Sequence, residues 1–234
     1  MKRSFLHLPS RRGFTLTELL VVITIIAVLM VLGMGVYSRM QNAAGNTTCV
    51  SNLRQNYAVY MQQTADNDNT IPLSRDSSSW TEKYHTSLGG DWSMPSGGER
   101  AAAVVGCPVH RRKIGRTVKI KGQGYGPNHR TFGINLRLTD NNVNKDKTAM
   151  PKYPSFAYPS QTALITDGWL EEKGTPNGGV SYEKLPDTVH DNRTNILFLD
   201  GHVEDWTKDQ LSSVNNGGAI KGDGSKTSLF WIGF

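Results

Sequence analysis

Polarity changes abruptly near the start of the chain. Lys2, Arg3, Arg11 and Arg12 lie among the first 13 residues with no acid, Glu18 follows, and then 20 residues from Leu19 to Ser38 carry no charge. At about 1.5 Å rise per residue such a run makes about 30 Å of helix, the thickness of a bilayer's hydrocarbon core. The pattern predicts a transmembrane helix over residues 14–38. The positive-inside bias keeps the cationic end cytoplasmic and sends the remainder across. A cleavable secretory signal would have a shorter apolar run and a small-residue site beyond it, for which Gly33, Met34 and Gly35 are a poor match.

Past Ser38 the apolar positions change period. Met40, Ala43, Ala44, Thr47, Val50, Leu53, Tyr57, Tyr60, Met61 and Ala65 recur at three- and four-residue steps, with Asn42, Asn46, Asn52, Gln55 and Gln62 mostly elsewhere. This is the stripe of an amphipathic helix, expected to continue the first one over 39–66 and to need a covering surface. Asp66-Asn67-Asp68-Asn69-Thr70 and Pro72 end it. Asp66 and Asp68 lack the Gly and closing Glu of an EF-hand loop, which leaves a solvated turn as the simpler reading.

Residues 73–130 are punctuated by Gly, Ser and Pro, with Trp80 and Trp92 as candidates to cover the upper helix. The last hundred residues suggest antiparallel sheet. Thr162–Thr166 is a short strand running into Asp167-Gly168, and Thr194–Leu199 runs into Asp200-Gly201 and then His202–Trp206. An apolar run, Asp-Gly and an alternating run signal a hairpin, with a type I′ turn expected at Asp200-Gly201. The fold class expected is α+β: a long N-terminal helix packed in its second half against an antiparallel sheet, with 67–234 as one loop-rich extracytoplasmic domain.

Composition adds little to this. The formal charge is +6, and removing the four cations of the first 13 residues leaves +2, so most of the basicity belongs to topology. His110, Arg111, Arg112, Lys113, Arg116, Lys119 and Lys121 form a basic stretch without acids or interleaved aromatics. DNA phosphates could contact it, but a solvated loop explains it as well, and nucleic acid is not an expected partner. Cys49 and Cys107 could close a disulfide in an oxidising compartment or remain free thiols. A bridge across roughly 60 residues would stabilise by about 3 to 4 kcal/mol in the chain-entropy model.

The segment GFTLTELLVVITIIAVL, with Gly13, Phe14, Glu18 and the uncharged run in register, resembles the prepilin processing signature shared by type IV pilins and type II secretion pseudopilins. The resemblance implies a cytoplasmic leader of residues 1–13, cleavage between Gly13 and Phe14 by a prepilin peptidase, and N-methylation of Phe14. Glu18 takes the family's acidic position, able to pair with its own Phe14 amine or with a neighbouring subunit's. A lone carboxylate near an apolar span costs a few kcal/mol unless paired, which favours such a role over simple snorkelling. The family often has a helix-bending Pro where this chain has Gly33 and Gly35, so a bend is not implied here. His190 and Asp200-Gly201, with nine residues between them, resemble the H-x9-DG motif that accompanies prepilin-type leaders in many secreted pilin-like proteins. Cys49-Val-Ser-Asn-Leu-Arg, Cys107-Pro and Tyr125-Gly-Pro-Asn are looser matches.

His190, Asp200, His202 and Glu204 are weak candidates for a divalent metal, since a strand's period of two puts the last three nominally on one side. The simpler reading gives Asp200 to the turn, His190 to a loop and the other two to solvent. No nucleophile elbow, HExxH, P-loop or zinc-finger pattern occurs, so neither an enzyme nor a cofactor is expected. The resemblance implies a pilin-like or pseudopilin subunit of a type II secretion or type IV pilus-like filament. It would be single-pass in a bacterial inner membrane, with the prepilin peptidase, the inner-membrane assembly machinery and other pilin-like subunits as partners. The competing classes are a membrane-anchored or fibre-tip binding protein that captures DNA, a surface or a polysaccharide, and an exported hydrolase that borrows the anchor.

Overall fold

The computed structural model describes residues 14–72, 87, 104, 106–110, 131–135, 138, 151–170, 176, 177, 179, 180, 185–215, 230 and 231. The leader with Gly13, Trp80, Trp92, the cations from Arg111 to Lys121 and the Tyr125 motif lie outside these residues.

Helix α1 runs unbroken from Leu16 to Asp66, through Gly33 and Gly35. The chain divides into two compact units, residues 1–41 and 42–234. In the first, every described side chain from Phe14 to Met40 is exposed, including Leu19, Ile23, Ile26, Val31 and Met34. This is the one helix among the described residues long and apolar enough to cross a membrane.

In the second unit the sheet has the order β5-β1-β2-β6-β7. Its strands are β1 (Phe132–Asn135), β2 (Ala163–Asp167), β5 (Gly179–Val180), β6 (Arg193–Phe198) and β7 (Val203–Thr207). The pairs β1/β2, β2/β6 and β6/β7 are antiparallel, while β5 joins β1 in parallel. A two-stranded ladder, β3 (Trp169–Leu170) with β4 (Pro176–Asn177), stands apart. Helix α2 (Lys208–Asn215) follows β7 directly.

The central strands are buried on both faces, which is why β2 and β6 read as near-continuous apolar runs and not as alternation. One core cluster joins Ile134, Leu164, Ile165, Leu197 and Leu199 with Cys49, Leu53 and Tyr60 of α1, the adjacent Leu164 and Ile165 both reaching it where the register shifts between Ala163 and Ile165. The other gathers Ala163, Ile196 and Phe198 with Leu211 of α2, Phe230 and Trp231. Along β6, successive residues therefore serve different cores, as the period of two requires.

The buried face of α1 differs from the expected stripe. Gly45, Cys49, Asn52, Leu53, Asn56, Tyr60 and Thr64 are buried, while Met40, Ala43, Ala44, Thr47 and Ala65 are exposed. The face includes asparagines because each has work there: Asn52 Nδ2 donates to Gly106 O at 3.0 Å, and Asn56 Nδ2 to Val104 O at 2.8 Å. These amides bind the backbone carbonyls of Val104 and Gly106 to the helix. The helix ends where Asp68 and Asn69 take left-handed φ of 52° and 59°. Exposed Asp68 then forms an ion pair with Lys152, and Tyr153 N donates to Asn69 O at 2.8 Å.

The Asp200-Gly201 hairpin forms, but not through a type I′ turn. Only Gly201 has positive φ there, at 94°, and Gly201 N donates to Phe198 O at 3.0 Å while Phe198 N donates to His202 O at 2.9 Å. This is a three-residue loop, a tight turn over Leu199 and Asp200 closed by a glycine bulge. The two-residue turn with positive φ at both positions lies at the other end of β6, at Asp191 (49°) and Asn192 (64°), where His190 and Arg193 exchange both backbone hydrogen bonds at 2.9 Å. The H-x9-DG spacing is thus a turn, a six-residue strand and one loop residue. It places His190 and Asp200 at opposite ends of that strand.

Tyr57 closes on the hairpin loop. Its hydroxyl donates to Leu199 O at 3.3 Å, and a Cβ on Gly201 would stand 2.5 Å from its ring. Gly201→Ala therefore meets both an unfavourable φ and a ring it cannot displace without breaking a core contact. The expected loss is about 1 to 3 kcal/mol, read as a lower urea midpoint for the full chain in detergent. Tyr57→Ala in the same chain should relieve only the steric share.

Candidate functional site

At the start of α1, Thr15 and Glu18 form a capping box. Thr15 N and Thr15 Oγ1 both donate to Glu18 Oε2 at 2.9 Å, and Glu18 N donates to Thr15 Oγ1 at 3.3 Å. The signal is the Thr-x-x-Glu spacing itself, which gives Glu18 a use besides charge pairing or snorkelling. Phe14 directly precedes the box and is 86% exposed. Cleavage after Gly13 would therefore leave the new amine immediately ahead of the first turn, close to the helix's only early carboxylate.

Four chemistry-bearing side chains from four separate segments meet inside the second unit. Cys49 comes from α1, Cys107 from the segment held by Asn52, Asp167 from the end of β2, and His190 from the residue before the Asp191-Asn192 turn. All four are buried, and one ligand atom from each lies within 4.8 Å of the others. Cys49 Sγ donates to Asp167 Oδ1 at 3.3 Å, Cys107 Sγ lies 3.2 Å from His190 Nε2, and His190 Nε2 lies 3.3 Å from Asp167 Oδ2. The two sulfurs are unbonded in this arrangement.

Further donors converge on the same atoms. Asn195 N donates to Asp167 Oδ2 at 2.9 Å, Asn195 Nδ2 to Cys49 Sγ at 3.5 Å, and His110 N to Cys107 Sγ at 3.4 Å. Asn195 Nδ2 also donates to Asn46 Oδ1 at 2.8 Å, tying β6 to α1. Burial pushes the Cys107 thiol up, but hydrogen bonding with Cys49 and with the His190 imidazole outweighs it and brings the value down to about 6. Burial likewise works against charging His190, yet hydrogen bonds to Asp167 and Cys107 carry it up to about 9. The Cys49 thiol is driven upward, by burial first and then by Cys107 and Asp167. The directions agree with the contacts: Cys49 donates to Asp167, while the Cys107 thiol and the His190 imidazole each favour the other's charged form.

His110, read from the sequence as the start of a basic stretch, is instead buried: Nδ1 lies 3.2 Å from Thr131 O and Nε2 3.6 Å from Asp187 Oδ2. Asp200, His202 and Glu204 sit at the exposed hairpin, away from His190. There His202 is paired by Nδ1 with Asp200, has Nε2 3.6 Å from Glu204 Oε1, and stacks on Phe198 at 4.4 Å between ring centroids. The sequence reading took Asp167 as a turn residue. Its one signal was position, an acid closing an otherwise apolar strand.

Residues 8–34 match the family model described as the prokaryotic N-terminal methylation motif. The chain carries that methylation motif. Gly13, Phe14 and Glu18 all fall inside the matched residues, as does most of the apolar run. With the long exposed helix, this motif fits a prepilin-like precursor anchored at an inner membrane. No curated protein and no solved structure matches the chain.

Asn195 serves the strand, the helix and the buried cluster at once. Asn195→Ala removes the amide that joins Asn46 and Cys49, and should cost the folded state about 1 to 2 kcal/mol by denaturant unfolding. Substitution of exposed Asp209 in α2 should leave the midpoint within about 0.5 kcal/mol of the parent.

Proposed function

We propose that the protein is a pilin-like structural subunit, cut between Gly13 and Phe14 by a prepilin peptidase, methylated on the Phe14 amine, and assembled through its N-terminal helix into a type II secretion or type IV pilus-like filament. The observation that carries this reading is the methylation motif matched over residues 8–34, together with a helix whose apolar side chains are all exposed from Leu16 to Met40. In the bilayer, lipid covers that surface. In a filament, the same surface packs against the helices of other subunits, where close side-chain contact replaces lipid.

Glu18 has two parts in this scheme. Within the subunit it caps the first turn through Thr15. Towards other subunits, a carboxylate at the edge of the apolar run is the natural partner for a Phe14 ammonium, and pairing them is cheaper than burying either alone. The inner-membrane assembly machinery and related pilin-like subunits are the partners this function requires.

Gly13→Ala should yield an uncut precursor that stays in the membrane, seen as an intact mass that retains the leader. Normal trimming of that variant would contradict the processing step. Glu18→Val should insert and be trimmed but reduce the yield of sheared filaments roughly tenfold or more, as expected for loss of a buried charge partner worth over about 1.4 kcal/mol. Undiminished filament yield would remove Glu18 from the assembly role.

A further inference from the structure

We propose that Cys49, Cys107, Asp167 and His190 form a structural site for a divalent transition metal, with zinc as the expected ion. Two thiolates, an imidazole nitrogen and a carboxylate oxygen are the donors that zinc takes in closed four-coordinate sites, while calcium and magnesium take oxygen donors.

The geometry is close to what a tetrahedral ion needs. With metal–sulfur bonds near 2.3 Å and metal–nitrogen or metal–oxygen bonds near 2.0 to 2.2 Å, neighbouring donors stand about 3.3 to 3.8 Å apart. Cys107 Sγ and His190 Nε2 lie 3.2 Å apart, His190 Nε2 is 3.3 Å from Asp167 Oδ2, Cys49 Sγ is 3.3 Å from the other oxygen, Oδ1, and with one donor atom from each residue no pair exceeds 4.8 Å. Closing the widest pair takes a movement of about 1 Å, within reach of side-chain rotation. All four residues are buried, so no position is left open to water, as in sites that hold a fold together.

The surroundings favour anionic donors. The Asn195 amide, the Asn195 backbone N–H and the His110 backbone N–H all donate to the proposed ligand atoms, the pattern that orients and stabilises thiolate and carboxylate ligands. A carboxylate as deeply buried as Asp167 is costly without a cation near it. On binding, the divalent ion displaces two protons, the one on the Cys49 thiol and the one shared between Cys107 and His190, and both pass to solvent. The product holds two thiolates, one carboxylate and a neutral imidazole around one 2+ ion.

Two other uses of these residues fit less well. A Cys-His-Asp relay needs the carboxylate on one imidazole nitrogen and the sulfur on the other, whereas here both face Nε2 and the buried Nδ1 has no partner among the described residues. A Cys49–Cys107 disulfide would use the sulfurs but leave Asp167 and His190 buried beside an uncharged bridge. The metal uses all four. It would also join α1, the Cys107 segment, β2 and the start of β6, elements far apart in sequence.

The test uses the untagged full chain, purified in detergent without chelator or reductant. Elemental analysis should find one zinc per chain. Removal by a strong chelator and titration with cobalt(II) should produce the intense visible bands of a tetrahedral site with thiolate-to-cobalt charge transfer. Cys107→Ser should abolish the charge-transfer band or halve it, and Asp167→Asn, which keeps the side chain's shape, should weaken cobalt affinity roughly tenfold or more. His202→Ala, at the exposed hairpin, should leave the spectrum and stoichiometry unchanged. The proposal is overturned if the isolated chain has Cys49 and Cys107 joined in a disulfide by non-reducing mass analysis. It is equally overturned if the chain carries no metal and develops no tetrahedral cobalt spectrum, or if His202→Ala removes the binding.

Discussion

A single helix here is covered by its own chain along one half and uncovered along the other, and the rest of the structure follows from that. From residue 42 onward one face of α1 is covered by the chain's own sheet, with Cys49, Leu53 and Tyr60 fully buried. From Leu16 to Met40 no side chain is covered. A buried Leu- or Tyr-sized side chain stabilises by about 1.5 to 3 kcal/mol, so the second half can specify a domain. The same apolar character over more than twenty residues, left uncovered in water, would drive association, which is why lipid or other helices must supply the cover.

The contact between helix and sheet is not purely oily. Asn46, Asn52 and Asn56 reach the partner strands and loop by amide hydrogen bonds, while Tyr57 holds the hairpin by its hydroxyl. Each such bond adds only about 1 kcal/mol net, but leaving any of these groups unpaired in the interior costs more than that. Polar pairing therefore fixes register where apolar contact alone would tolerate sliding. The cluster of Cys49, Cys107, Asp167 and His190 lies in this same seam, where four segments converge and where low dielectric makes every charge expensive. A metal ion there would act as a further cross-link between segments that hydrogen bonds already align.

The H-x9-DG spacing gains a physical meaning from the fold. His190 is placed in the core by a two-residue turn of left-handed residues, and Asp200-Gly201 reverses the chain against Tyr57 after the six-residue strand and one loop residue. One end of the motif carries chemistry and the other carries chain reversal. Gly201 is demanded twice, by its φ of 94° and by the ring that would collide with a Cβ.

The membrane-length apolar run and the methylation motif that contains Glu18 were legible in the sequence, because both depend on a short contiguous stretch. The strands through Ala163–Asp167, Arg193–Phe198 and Val203–Thr207 were legible as well, from local apolar runs and the Asp-Gly signal. Strand β1 and the parallel partner β5 were not, since their pairing is set by distant residues. The phase of the buried helix face was also out of reach: Asn52 and Asn56 look solvent-facing until the carbonyls of Gly106 and Val104 stand opposite them. Tertiary structure alone separated His190 from Asp200 and brought it to Cys49, Cys107 and Asp167. Contacts local in sequence can be inferred from period and turn chemistry, but donors contributed by four separated segments converge only when the chain has closed its core.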